Sequence, residues 1–315
     1  MPSAFVMSAC AQTGMKDKGA PTFRVPASEL SKHVTVIAYG DQRFHNPSDT
    51  QPANPKMRKA LVEKIAEERP DALLMSGDLP YKGTDPADYE EFRVESAPWR
   101  AEHLRLYPAL GNHELNGGAQ EGLEAWWKTF PELRGMHWYS VALGERLSLI
   151  QLDSTANLMP GSAQLTWVEA QLKALPKSVD FVMINLHHPP VADFQTRYQV
   201  DHNPRPNEIA LRDVLSKMAP KMHARIVVIA GHIHNYERRP VDGVTYLVSG
   251  GGGAHPYEVD RAKEDMYQDT GFPVFHFVRF ELEGAELKAT MVKAADPEAK
   301  TISWEAKDRF VLTKK

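Results

Sequence analysis

Five short segments of the sequence carry side chains of the types that bind metal ions in hydrolases. The candidate ligands are carboxylates, an amide, a phenol and imidazoles: Asp41, Asp78, Tyr81, Asn112, His187, His232 and His234. Imidazole and carboxylate together suit zinc, iron and manganese. A carboxylate can also place one oxygen on each of two ions, as two-metal hydrolases require. The residue types therefore predict a two-metal hydrolytic centre.

Apolar runs directly before these segments predict the strands that position them. The predicted strands are His33–Tyr39, Ala72–Met75, Leu104–Leu110, Phe181–Leu186 and Ile226–Ala230. Asn54 followed by Pro55 is typical of a helix start, so the first two strands are predicted to form a parallel crossover. Ligands collect at the carboxyl ends of strands in open α/β sheets. The five segments are therefore expected to meet at one edge.

The remaining sequence predicts further strands and helices but no second domain. These are a hairpin of Trp138–Leu143 with Leu147–Leu152, helices over Leu165–Leu172 and 207–218, and antiparallel strands Val274–Glu281, Leu287–Val292 and about 303–312. We predict an N-terminal leader or flexible linker over residues 1–30. A single α/β domain is predicted over residues 31–315.

Net charge and apolar patterning narrow the functional classes. The formal net charge is −4, so no global basic field is available to attract nucleic acid, and no nucleic-acid partner is expected. No apolar run approaches the roughly 20 residues that a membrane-spanning helix needs. Cys10 is the only cysteine, which excludes an internal disulfide and a thiolate cluster.

Cys10 also lies in a segment with two interpretations. The stretch from Ala4 to Cys10 resembles the end of a bacterial lipoprotein signal, in which a lipid-modified cysteine follows small residues. Only nine residues precede it and none is basic, so a complete signal is not present in this stretch. The alternatives are a lipid anchor at Cys10 and a disordered N-terminus with a chance cysteine. The first favours the bacterial periplasm or cell surface over the cytoplasm.

The ordered set of motifs resembles the calcineurin-like metallophosphoesterases. The resemblance is carried by Gly77-Asp78, Gly111-Asn112-His113-Glu114, the His187 segment and Gly231-His232-Ile233-His234. Two longer motifs, 77–81 and 231–238, are similar to those of purple acid phosphatases. The resemblance runs from Val34 to Gly253. It implies an α/β fold, the four-layer metallophosphoesterase sandwich of two mixed β-sheets flanked by helices.

One departure from the superfamily pattern supports the narrower resemblance. Many members carry Asp-x-His in the first motif, whereas Asp41 is followed here by Gln42 and Arg43. Tyr81 stands where purple acid phosphatases carry a phenolate ligand, so a lost imidazole is matched by a gained phenolate. A phenolate is a hard anion that favours a trivalent ion such as Fe(III).

The resemblance also implies a role for each candidate. Asp41, Tyr81 and His234 would hold Fe(III), Asp78 would bridge, and a divalent Fe, Zn or Mn would lie between Asn112, His187 and His232. His187 fits the family's His-x-Pro pattern better than His188, although the choice between the two stays open. His113 would orient the substrate or protonate the leaving oxygen. For Arg43, His202 and His255, substrate contact and a purely structural role both stay open.

The predicted activity is hydrolysis of a small phosphate ester, most concretely by an acid phosphomonoesterase whose two metal ions generate the attacking hydroxide. A phosphodiesterase of the same superfamily is the close alternative. A catalytically inactive, surface-displayed binding protein that keeps the fold is the alternative from another class. Intact ligands at all seven positions favour an enzyme.

Overall fold

The computed structural model describes residues 19–195 and 202–315. Its strands in chain order are β1 (Phe23–Val25), β2 (Val34–Tyr39), β3 (Ala72–Met75), β4 (Leu106–Pro108), β5 (Tyr139–Leu143), β6 (Leu147–Gln151), β7 (Phe181–Leu186), β8 (Phe194–Gln195), β9 (Arg225–Ala230), β10 (Tyr236–Val241), β11 (Val244–Ser249), β12 (Val259–Asp260), β13 (His276–Glu283), β14 (Glu286–Ala294) and β15 (Trp304–Thr313). The helices are α1 (Pro55–Glu68), α2 (Pro86–Glu95), α3 (Ala97–Ala101), α4 (Ala119–Thr129), α5 (Ala163–Lys173) and α6 (Pro206–Met218).

Two mixed sheets within the described residues form the centre of the fold. The first has the order β1-β5-β6-β7-β9-β11-β10, and the second has the order β15-β14-β13-β2-β3-β4. Helices flank the two sheets, so the four-layer α/β sandwich predicted from the sequence is confirmed. The short pair β8 and β12 lies outside both sheets.

Residues of both sheets belong to one large apolar core. Val36 and Phe280 of the second sheet and Leu149 and Val227 of the first lie in the same buried cluster. A separate cluster packs the other side of the first sheet against α5 and α6, with Val168 and Leu211 among its members. Burial on both faces explains why these strands are continuous apolar runs rather than alternating patterns.

Strand register brings the ends of the central strands level with one another. Tyr39 of β2 pairs with Met75 of β3, and Met75 pairs with Pro108 of β4. In the first sheet Leu186 of β7 pairs with Ala230 of β9. All five predicted ligand segments follow directly after these pairs.

A polar contact joins the two sheets at this edge. Asn185 of β7 accepts a hydrogen bond from the Ser76 hydroxyl (2.6 Å) and donates one to the Met75 carbonyl (3.0 Å). All three residues are fully buried. The carboxyl ends of β3 and β7 are thereby fixed beside each other.

Local signals explain the helices that the sequence predicted. The Asn54 side chain accepts a hydrogen bond from the Met57 amide, and Pro55 occupies the first helical position of α1. Ser162 caps α5 in the same way through the Leu165 amide. The hairpin β5–β6 and the antiparallel strands β13 to β15 are also confirmed, with no end shifted by more than two residues.

The prediction of a leader or flexible linker over residues 1–30 is wrong for Phe23–Val25. This segment is β1, which pairs in parallel with Val141–Leu143 of β5. Its outer residues are buried, and the Phe23 ring packs edge-on against Tyr139 at 5.7 Å between centroids. Two apolar side chains flanking Arg24 are too short a pattern to predict a strand. The segment forms a strand because these side chains are buried where it pairs with β5. The boundary of the leader itself stays a prediction, because residues 1–18 lie outside the described residues.

Candidate metal centre

Several predicted ligands lie on backbone that L-residues adopt only rarely. Asp41, Asp78 and His232 have φ angles of 65°, 55° and 70°. Such strained positions cluster where a scaffold must aim side chains at a site. The missing side chain of Gly111 lets the Asp78 carboxylate lie against the backbone of this loop, since a Cβ on residue 111 would lie 2.4 Å from Oδ1 of Asp78. The tight turns after the strands therefore direct the carboxylates inward.

A first set of ligand atoms is formed by Asp41, Asp78 and His234. Oδ1 of Asp41 lies 3.4 Å from Nε2 of His234. These two atoms and Oδ2 of Asp78 are buried and have no hydrogen-bond partner among the described residues. Nδ1 of His234 lies 2.7 Å from the His255 carbonyl and must donate to it, which leaves Nε2 with a lone pair. Buried polar atoms without partners are costly, and a cation between them would satisfy all three.

A second set surrounds Nε2 of His187. This nitrogen lies 3.2 Å from Oδ1 of Asp78, 3.0 Å from Oδ1 of Asn112 and 3.1 Å from Nδ1 of His232. Nδ1 of His187 contacts the Ser76 carbonyl at 2.9 Å and must donate there, so Nε2 of the neutral ring is an acceptor. Nδ1 of His232 has a lone pair in the tautomer that carries the proton on Nε2, and in that tautomer four lone-pair atoms face one another and repel unless a cation lies among them. The donor set therefore fits a metal ion.

The carboxylate of Asp78 belongs to both sets. Its Oδ1 lies 3.2 Å from Nε2 of His187, its Oδ2 has no hydrogen-bond partner among the described residues, and ligand atoms of Asp41, Asp78 and His187 all lie within 4.8 Å of one another. Asp78 is fully buried, and the His113 amide donates to Oδ1 at 3.0 Å. One carboxylate with an oxygen directed to each set is the arrangement that a pair of metal ions requires.

Comparison with protein families matches residues 44–236 to the calcineurin-like phosphoesterases. The chain belongs to this family. A probable inactive purple acid phosphatase of Arabidopsis thaliana is 24% identical over 239 residues, covering 66% of this chain and 38% of the relative. A probable cyclic nucleotide phosphodiesterase of Rhodococcus erythropolis is 29% identical over 197 residues, covering 59% of each protein. The chain therefore spans less than two thirds of either relative.

The fold of this calcineurin-like phosphoesterase is similar to that of a solved purple acid phosphatase. The yellow lupin seed enzyme superposes with a TM-score of 0.71 at 18% identity, covering 92% of this chain and 55% of the lupin chain. The resemblance to purple acid phosphatases seen in the motifs thus extends to the fold. The family generally binds a dinuclear metal centre, and the His and Asp clusters here supply candidate ligands.

Burial and charge set the protonation of the phosphoesterase's ligands. Burial raises the pKa of Asp41 to about 7 and lowers the pKa values of His232 and His234 well below the usual range. Burial would also raise the pKa of Asp78, but the positive charge of neighbouring groups, Arg43 among them, outweighs it and lowers that pKa. Neutral imidazoles are ready to bind a metal ion. A buried carboxylate that titrates near neutrality is stabilised as an anion by a nearby cation.

Tyr81 lies at the rim of the site rather than among the converging atoms of the two sets. Its side chain is 38% exposed, and its ring contacts His113 and His45 at 5.5 and 5.9 Å between centroids. The other six predicted ligands converge. Tyr81 as a metal ligand therefore stays a prediction.

The three residues considered for substrate contact differ in position. Arg43 reaches the site, with Nη2 3.6 Å from Oδ2 of Asp78. The His202 ring lies 4.7 Å from that of His232. The exposed His255 ring contacts the Thr50 carbonyl through Nε2 at 2.7 Å, while its own carbonyl orients His234.

Glu114 organises the site in a way that the sequence did not predict. Its buried carboxylate accepts hydrogen bonds from the amides of Asp78 (3.0 Å), Leu79 (2.7 Å) and Gly111 (2.7 Å). Burial and the charge of Asp78 raise its pKa to about 8. The Gly-Asn-His-Glu motif contained the residue, but only the fold shows that it ties the loop after β3 to the loop after β4.

His188 is a second residue whose place only the fold reveals. Its ring centroid lies 4.3 Å from that of His232, and its Nδ1 lies 2.9 Å from the Ser154 hydroxyl. His187, His188 and His232 form one of the clusters able to hold a metal ion. His187 contacts Asp78 and Asn112 directly, which favours His187 over His188 as the metal ligand.

Proposed function

We propose that this protein hydrolyses small phosphate esters at a two-metal centre and acts as a phosphomonoesterase at acid pH. The observation that carries the proposal is the position of Asp78, which contacts Nε2 of His187 through Oδ1, clusters with Asp41 and His187, and keeps a buried Oδ2 without a hydrogen-bond partner among the described residues. The family match supports the reaction class. The resemblance to purple acid phosphatases supports the finer assignment.

The ligands divide between two ions. Asp41, His234 and the phenol of Tyr81 would hold the first ion, proposed as Fe(III). Asn112, His187 and His232 would hold the second, a divalent Fe, Zn or Mn, with Asp78 shared between them. When bound, the two ions supply positive charge to the phosphate oxygens and lower the pKa of water so that hydroxide forms near or below neutral pH.

Proton transfer to the leaving group is assigned to His113. Its Nδ1 contacts the Tyr81 carbonyl and its Nε2 lies 3.7 Å from Oδ2 of Asp78, so Nε2 is the nitrogen free to serve a substrate. Hydroxide would attack phosphorus opposite the leaving oxygen, the phosphorus–oxygen ester bond would break, and the leaving oxygen would take the Nε2 proton of a His113 imidazolium, whose Nδ1 proton stays hydrogen-bonded to the Tyr81 carbonyl. Burial lowers the pKa of His113, so the imidazolium forms at acid pH. No covalent phosphoenzyme is needed. The products are inorganic phosphate and an alcohol.

Two alternatives are separated by the same assay. A phosphodiesterase is favoured by the Rhodococcus relative, whose name describes a cyclic nucleotide phosphodiesterase. An inactive binding protein is suggested by the word inactive in the name of the Arabidopsis relative. The convergence of six ligands in this chain supports activity.

The experiment is a comparison of 4-nitrophenyl phosphate with bis(4-nitrophenyl) phosphate on the metal-loaded protein between pH 4 and pH 9. A higher kcat/KM for the monoester with an acidic optimum supports the proposal. A higher value for the diester supports the phosphodiesterase. Hydrolysis of neither compound by protein that contains two metal ions per chain supports the binding protein.

Cellular placement is proposed from the sequence alone. Cys10 and residues 1–18 of the predicted leader lie outside the described residues. No helix within residues 19–195 and 202–315 has the length and apolar character needed to cross a bilayer. The proposed periplasmic or surface location, with a lipid anchor at Cys10, is tested by replacing Cys10 with Ser and following membrane fractionation.

A further inference from the structure

Arg43 is held in place by its own backbone. It has a φ of 49°, its amide donates to the Asp78 carbonyl at 2.9 Å, and its carbonyl accepts from Nη1 of Arg58 at 2.9 Å. Arg58 is itself fully buried and paired with Glu95. The turn after β2 therefore fixes the point from which the Arg43 side chain extends.

The guanidinium of Arg43 faces the first set of ligand atoms. Nη2 lies 3.6 Å from Oδ2 of Asp78, and Nε is buried without a hydrogen-bond partner among the described residues. The side chain keeps 17% of its surface exposed, so the group is neither sealed in the core nor free in solvent. A single contact with Asp78, beyond the usual hydrogen-bond distance, leaves donors available.

Arg43 and His113 lie on the same side of the Asp78 carboxylate. Nε2 of His113 is 3.7 Å from Oδ2, the oxygen that Arg43 also approaches. A phosphoryl group whose leaving oxygen is within reach of His113 would lie within reach of this guanidinium.

We propose that Arg43 binds a non-bridging oxygen of the phosphoryl group and gives the site its preference for phosphomonoesters over diesters. This inference rests on the proposed function. A monoester presents three non-bridging oxygens and carries up to two negative charges, whereas a diester presents two such oxygens and one charge. Two metal ions can take one oxygen each, and the third oxygen, which only the monoester offers, is left for a planar guanidinium.

The test is the variant Arg43→Gln, assayed on 4-nitrophenyl phosphate and bis(4-nitrophenyl) phosphate with metal content measured on the same samples. We expect kcat/KM for the monoester to fall about 10- to 100-fold, the range for a hydrogen bond to a charged group, while the diester value changes much less. Arg43→Lys keeps the positive charge but lacks the planar guanidinium, so it should recover part of the lost kcat/KM for the monoester. Arg134→Gln, on an exposed arginine paired with Glu124, is the matched control.

Two results would overturn the inference. One is an equal loss on both substrates together with loss of metal, which would make Arg43 a support for the Asp78 ligand. The other is an unchanged ratio of the two kcat/KM values.

Calorimetric titration of the metal-loaded protein with inorganic phosphate separates this inference from the proposed function. If the wild type hydrolyses neither ester but binds phosphate about tenfold more tightly than Arg43→Gln, the proposed function fails and the phosphate contact of Arg43 stands. Equal phosphate affinity in the two proteins overturns the contact whether or not the esters are hydrolysed.

Discussion

The Oδ1 atom of Asp78 lies 3.2 Å from Nε2 of His187, a nitrogen that carries a lone pair because Nδ1 is engaged by the Ser76 carbonyl. A carboxylate oxygen and an imidazole lone pair at this distance cannot share a hydrogen bond unless the ring is protonated. Their closeness is explained by a common cation. The second oxygen of Asp78 is buried without a hydrogen-bond partner among the described residues, and the carboxylate also clusters with that of Asp41, so a second cation beside Asp78 would satisfy these atoms as well.

Replacing His113 tests the assignment of the proton donor. His113→Ala should keep both metal ions and lose about 10²- to 10⁴-fold in kcat on an alkyl phosphate. The loss should be smaller for 4-nitrophenyl phosphate, because a good leaving group scarcely needs a proton. Steady-state kinetics on both substrates checks this, with His103→Ala at an exposed histidine as control. An equal loss on both substrates would instead assign His113 to phosphate positioning.

Replacing Glu114 tests whether it organises the loops. Glu114→Ala leaves three buried amides without an acceptor, so the free energy of unfolding should fall by about 2–5 kcal/mol. Metal affinity should fall with it, because Asp78 and Asn112 lie on the loops that Glu114 joins. Denaturant unfolding and elemental analysis measure the two effects, and Glu124→Ala on the surface is the control. Unchanged stability would show that the loops hold their positions without this carboxylate.

Replacing Tyr81 tests the proposed iron site. If its phenolate binds Fe(III), the iron-loaded wild type should absorb visible light through ligand-to-metal charge transfer. Tyr81→Phe should lose this band and bind iron more weakly, while its ring contacts with His113 and His45 preserve the fold. Tyr246→Phe in the core behind the first sheet is the control. A colourless wild type that holds oxidised iron would contradict the role of Tyr81.

Buried His276 should make stability depend on pH. Its Nδ1 contacts the Val274 carbonyl at 2.9 Å and its Nε2 the Ser249 hydroxyl at 3.1 Å, and burial lowers its pKa to about 4. The unfolded chain, with a His pKa of about 6.5, binds more protons between these values, so stability is lost as pH falls from about 6.5 towards about 4. The loss at pH 5 should be about 2 kcal/mol.

The measurement is the free energy of unfolding at pH 8 and pH 5, in chelator to exclude metal binding. His276→Gln should show a smaller difference between the two pH values than the wild type does. His33→Gln, at an exposed histidine, should behave like the wild type. An identical pH difference in all three proteins would show that His276 does not titrate as its burial implies.

The parts of the fold predicted from the sequence are those with strong local patterns. The strands β2, β3, β7 and β9 are predominantly apolar runs, and a candidate ligand follows the end of each within three residues. The strand β10 escaped prediction because it carries Glu237, Arg238 and Arg239. The charged side chains of β10 pair with residues far along the chain, such as Asp308, which pairs with Arg238 at 2.6 Å.

Prediction of the site had a similar limit. Residue type was sufficient to nominate Asp41, Asp78 and the histidines, because few functions need those types at strand ends. The roles of Glu114 and Arg43 depend on distances between loops that are separated by about 35 residues in the chain. Such distances follow from sheet register and packing and cannot be deduced from residue type.

The two-metal centre is tested most directly by the number of metal ions per chain in wild type and Asp78→Ala, determined by elemental analysis after loading and desalting. The wild type should hold two ions and hydrolyse 4-nitrophenyl phosphate. Asp78→Ala should lose both ions and nearly all activity, because one carboxylate serves both sets of ligands. Asp213→Ala, at an exposed aspartate, should match the wild type. An Asp78→Ala protein that keeps two ions would contradict the bridging role of Asp78, on which the proposed two-metal centre depends.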